Sequence, residues 1–123
     1  MSIMQVSSEL LQLLSQAAYI ACFRGDTKRS QVIMEGVSVM GKEQIPIKIG
    51  LVIVNFYAGQ YRQAVDILRR QVLQEDPEHM TAKCFLGMSL KQLGEVAEAK
   101  EFLEEVMHKG SKDERELAAA YLN

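Results

Sequence analysis

The stretch Leu86-Gly87-Met88-Ser89-Leu90-Lys91-Gln92-Leu93-Gly94-Glu95-Val96-Ala97-Glu98-Ala99-Lys100-Glu101-Phe102-Leu103 decides the fold. Its apolar residues return every three to four positions on both sides of one glycine, which is the period of a helix and not the alternation of a strand. Gly94 sits between the two runs, where a residue free to adopt a left-handed conformation ends one helix and lets the chain reverse into the next. The unit is therefore a helical hairpin.

The same unit occurs twice more. Gly25, Gly59 and Gly94 are followed at identical offsets by Thr27, Ser30 and Met34, by Tyr61, Ala64 and Leu68, and by Val96, Ala99 and Leu103. The intervals are 34 and 35 residues, a period that marks a stacked-repeat architecture. Ala17-Ala18, Leu51-Val52 and Leu86-Gly87 stand the same distance before each glycine. The small residue at Ser30, Ala64 or Ala99 belongs where the two helices cross closely. Asp76-Pro77-Glu78 and Pro46 read as helix openings, and Ser111-Lys112-Asp113-Glu114 has capping-box spacing. The expected helices cover about 7–24, 27–40, 45–58, 61–74, 77–92, 96–109 and 112–121. The fold class is all-α: one domain over 1–123, with three hairpins at about 11–44, 45–79 and 80–112 and a capping helix at about 112–121. Two amphipathic helices cannot bury their stripes alone, so the hairpins must stack into a right-handed array. In the last helix Leu117, Ala118, Tyr121 and Leu122 can cover the third hairpin; the alternative is that this helix packs on a partner.

Composition narrows the function. The chain has 123 residues with 14 Lys+Arg against 16 Asp+Glu, a formal charge of -2, and 48% hydrophobic residues. One core can form, and there is no basic field for nucleic acid or an anionic membrane. Cys22 and Cys84 make neither a disulfide framework nor a metal site, and a reducing cytoplasm is expected. The N-terminal apolar stretch lacks preceding basic residues and is broken by Gln12, Ser15 and Gln16, so neither a signal peptide nor membrane insertion is expected.

The pattern Leu86-Gly87, Leu90, Gly94, Ala99 and Leu103 resembles the tetratricopeptide repeat, and Leu51, Gly59-Gln60-Tyr61, Ala64, Leu68 and Pro77 form a second good copy. The first copy is degenerate. All three lack the Trp of the family pattern, and Lys48 and Lys83 hold two of its places.

No enzyme is expected. His79 and Cys84 are five residues apart on one helix and do not face one reactant. Glu98, Glu101, Glu104 and Glu105 read as a solvated face rather than a metal site, and no glycine spacing suits phosphate. No cofactor or metal is called for. Function then lies in the concave surface, lined in such arrays by the first helix of each hairpin. The candidate protein-binding groove comprises Tyr19, Cys22 and Phe23 with neighbouring Ser15; Ile49, Ile53, Phe56 and Tyr57; and Cys84 and Met88 with Lys91 and Gln92. Any one of these can instead be core, Ile53 and Phe56 above all. Taken together they make an apolar trough, suited to a nonpolar helix stripe and not to an acidic peptide terminus. An empty trough of this kind implies limited solubility without a partner.

Small acidic chains of three such hairpins resemble the chaperones of bacterial type III secretion, a virulence apparatus. By length and layout the chain is similar to the needle-subunit chaperone. That resemblance implies that the groove holds the amphipathic helix of a polymerising needle subunit, and that a small helical co-chaperone is a second partner. The alternatives are a chaperone of translocator proteins, a class usually longer, and a general scaffold or adaptor unrelated to secretion.

Overall fold

The computed structural model describes residues 44–123, with Gly25, Lys28, Arg29 and residues 31–33 before them. The expected helix 7–24 lies outside the described residues. Of the expected helix 27–40, the described residues 28, 29 and 31–33 are helical. The chain divides into two compact units, Met1–Gly59 and Gln60–Asn123.

In the first unit, helix α1 spans Ile45–Tyr57 with Pro46 in its opening turn. Pro46 gives up no hydrogen bond there, and the Gln44 carbonyl accepts from the Ile47 and Lys48 amides at 3.1 Å. The helix is rich in β-branched residues, which are indifferent helix formers, so burial rather than propensity sustains it. Ile47, Ile49, Val52, Val54 and Phe56 are all buried. The helix ends at Ala58 and Gly59, and the Gly59 amide donates to the Phe56 carbonyl at 3.0 Å.

The second unit holds four helices. Helix α2 runs as α-helix over Tyr61–Ile67 and continues as a π-helical turn over Leu68–Val72, closed by the Leu73 amide on the Leu68 carbonyl at 2.8 Å. Helix α3 spans Met80–Gln92, α4 Val96–Lys109 and α5 Lys112–Leu122. The described helices thus follow the sequence reading, with one correction at the start of α3. The expected cap at Asp76 is instead the first residue of a β-turn: its carbonyl accepts from the His79 amide at 3.2 Å. Pro77, whose fixed φ suits the second turn position, is used there and not in the helix. The cap falls to His79, whose Nδ1 accepts from the Ala82 amide at 3.1 Å. The reading of α5 holds in detail, for Ser111 and Glu114 form a reciprocal capping box.

The three repeated glycines all have positive φ, 84°, 81° and 85° at Gly25, Gly59 and Gly94. At Gly94 the closing bonds are those of a Schellman motif, from the Gly94 amide to the Lys91 carbonyl at 3.0 Å and from the Glu95 amide to the Leu90 carbonyl at 2.9 Å. Helix α3 lies at the centre of this unit, packed against α2, α4 and α5, while α5 also packs on α4. Every residue from Ala82 to Leu90 is buried. The α3–α4 crossing is close at Gly87, where a methyl group would stand 2.7 Å from Leu103 Cγ and 3.2 Å from the Ala99 carbonyl oxygen. Small residues at 87 and 99 let these axes approach.

Candidate functional site

Tyr19, Cys22 and Phe23, the groove residues expected from the first hairpin, lie outside the described residues. On α1 the structure separates the four candidates. Ile49 and Phe56 are buried, at 7% and 4% exposure, and so belong to packing rather than to an open trough. Ile53 is half-buried and Tyr57 is 43% exposed. The Phe56 and Tyr57 rings meet edge to face with centroids 5.2 Å apart, so the buried ring helps to orient the exposed one.

On α3 both groove candidates are covered. Cys84 and Met88 are 0% and 1% exposed. The face of α3 that they occupy is taken by α5. The Cys84 thiol donates to the α5 carbonyl of Glu114 at 3.7 Å and lies 3.7 Å from Met88 Sδ. At one end of the same stripe Thr81 donates its hydroxyl to the Glu114 carboxylate. At the other end Lys91 Nζ donates to the carbonyls of Tyr121 and, at 3.4 Å, Asn123. Thr81 escaped the sequence reading. Its signal was the matched spacing of 81, 84, 88 and 91 against 114, 118 and 121, two stripes of one period. Lys91, expected in the groove, instead caps the last carbonyls of α5, where a cation also opposes the helix dipole.

Among the described residues the exposed large hydrophobic side chains are Val32, Tyr57 and Val96, one in each of three separate segments.

Charge on the second unit is largely compensated. Lys83, at a place the repeat pattern gives to Trp, is buried, and its ammonium bonds Glu105 Oε1 at 3.0 Å and approaches Glu78 at 3.7 Å. The aliphatic stem fills the apolar site and the head is neutralised at its edge. Arg62 pairs with Glu95 at 3.8 Å, Arg70 with Asp66 at 3.0 Å, and Arg69 with Glu98.

Nucleophilic chemistry finds no support at Cys84. Burial, and secondarily the Glu114 charge, push its thiol up to about 12, which keeps it protonated near neutrality. His79 Nδ1 is committed to the helix cap. Burial opposes ionisation of Glu114, but the bonds from Thr81 and Ser111, with His79 nearby, outweigh it and hold the carboxyl below its usual range. Among the described residues no group of His, Cys, Asp and Glu could hold a metal ion, and no helix is long and apolar enough to cross a membrane.

Comparison with known proteins bears on this arrangement. A family model described as tetratricopeptide repeat matches residues 55–122. The chain belongs to the tetratricopeptide repeat family. Solved tetratricopeptide-like chaperones share its fold at low identity. The Yersinia enterocolitica type III secretion translocator chaperone SycD superposes with a TM-score of 0.77 at 21% identity, covering 96% of this chain and 90% of that one. SycD in complex with a peptide of the translocator YopD gives 0.75 at 20% identity, covering 96% and 91% of the two chains. PcrH in complex with the chaperone binding region of PopB gives 0.75 at 17% identity, covering 95% of each. No curated protein sequence matches the chain. The repeat fold inferred from the three glycines is thus the fold of these chaperones.

Proposed function

We propose that this tetratricopeptide protein is a binding chaperone of a type III secretion system, and that its client is a translocator protein rather than a needle subunit. The observation that carries the reading is the likeness to SycD over 96% of this chain and 90% of that one. The length argument for the needle class loses its force, because the chain spans nearly the whole of the translocator chaperones it resembles. Two of those structures hold a translocator segment, which favours the same class of client here.

The job is passive. A secreted protein with an apolar segment must be kept from associating early, and covering that segment removes it from solution. Each Å² of apolar surface covered contributes roughly 25 cal/mol, less the ordering of the bound segment. Of the groove candidates on α1, Ile53 is half-buried and Tyr57 exposed, and we assign these two to client contact.

Co-expression with each translocator, and separately with the needle subunit, of the same secretion system tests the reading. A stable complex with a translocator is expected, weakened tenfold or more by Ile53→Asp and by Tyr57→Asp with helical content retained in circular dichroism. A complex formed with the needle subunit alone overturns the client class. Undiminished affinity in both variants overturns the assignment of α1.

A further inference from the structure

The seat of α5 is built to take a helix, and α5 itself shows what fits. Thr81 and Lys91 stand about 15 Å apart along α3 at 1.5 Å per residue. They grip opposite ends of α5, the first-turn carboxylate of Glu114 and the last carbonyls at Tyr121 and Asn123. The two helices therefore run in the same direction. Between the grips lie Cys84 and Met88 on α3, fully covered, and on α5 the buried small residue Ala118 lies between the two gripped ends.

The occupant is lightly held. Of the 11 residues of α5 only Ala118 is fully buried, against nine buried residues in α3. A helix so short is marginal without packing, and its last turn leaves a cavity of about 150 Å³ among Lys91, Val96, Leu103, Tyr121 and Leu122. Gly110 links it to α4, and a side chain there would meet the Val106 carbonyl oxygen at 2.7 Å.

We propose that the Thr81–Lys91 face of α3 is an exchangeable helix-binding site, occupied by α5 in the free protein and by an amphipathic client helix in the complex. The incoming helix carries a carboxylate in its first turn and a small residue about one turn later, the pattern of Glu114 and Ala118. The identity of the incoming helix rests on the chaperone reading; the exchange of α5 does not.

The test uses the full chain with Cys22→Ser, so that Cys84 is the one thiol, and a labelled peptide of the chain's own residues 111–123. Thr81→Val combined with Lys91→Met removes both grips while keeping bulk, and Cys84 labelling by a thiol reagent is expected to accelerate at least tenfold. Ala118→Asp is expected to evict α5 and leave the other helices folded; the peptide then binds that variant and protects Cys84. Labelling that follows global unfolding in its urea dependence and is unchanged by the double substitution overturns the proposal. So does loss of all helical structure in Ala118→Asp, or a folded variant that ignores the peptide. With a translocator bound to the unsubstituted chain, amide exchange over 112–122 is expected to rise while 80–92 stays protected. A bound translocator that leaves 112–122 unchanged removes the client from this site without touching the chaperone reading. Failure of every translocator to bind ends the chaperone reading and leaves the peptide result standing.

Discussion

Gly87 has no room for a methyl group, because Leu103 Cγ would lie 2.7 Å from it and Leu103 is itself 1% exposed. Gly87→Ala should destabilise the protein by about 1–3 kcal/mol, the usual result of overpacking, measured as a lower urea midpoint with an unchanged slope. Ser89 presents the opposite case. Its hydroxyl is buried and has no hydrogen-bond partner among the described residues, so Ser89→Ala should leave stability unchanged or raise it by up to about 1 kcal/mol. A loss of more than that on the same measurement would show that the hydroxyl has work to do. Both positions were visible in the sequence as small residues in an apolar run. Only packing distinguishes the one that admits a helix from the one that merely fills space.

At the scale of elements, α5 is fastened by Glu114, and its fastening depends on pH. The carboxyl is held below its ordinary range, so its contribution is fully present above the unfolded-state value and is lost as pH falls through the lower folded-state value. Wild type and Glu114→Gln should therefore differ in urea stability at neutral pH and converge in acid below the carboxylate range; a constant difference would refute this role. The helices themselves were legible. Three glycines, a capping box and the 34-residue period placed α1 to α5 to within a few residues, because local backbone chemistry writes those signals. The start of α3 was misplaced since Pro77 suits a β-turn as well as a helix opening, and the choice lay with His79, a rare cap.

For the molecule as a whole, a client that binds only the folded chain must stabilise it by mass action. A translocator segment at a hundred times its Kd should add about 2.7 kcal/mol to unfolding and raise Tm in a concentration-dependent way. A Tm that does not move with saturating client would contradict binding to the native fold. The groove was less legible than the fold. Ile53 and Tyr57 are accessible on α1, while Ile49, Phe56, Cys84 and Met88 are interior. Periodicity shows that a helix has a second apolar face but not what covers that face.

The sequence by itself determined the family, the hairpin period, the positive-φ turns and the capping of the last helix, because each depends on contacts within a few residues. The tertiary structure alone decided that the second face of α3 belongs to α5, gripped at Thr81 and Lys91. That contact joins residues some thirty positions apart, and no local pattern says whether an apolar stripe will meet its own chain or a partner.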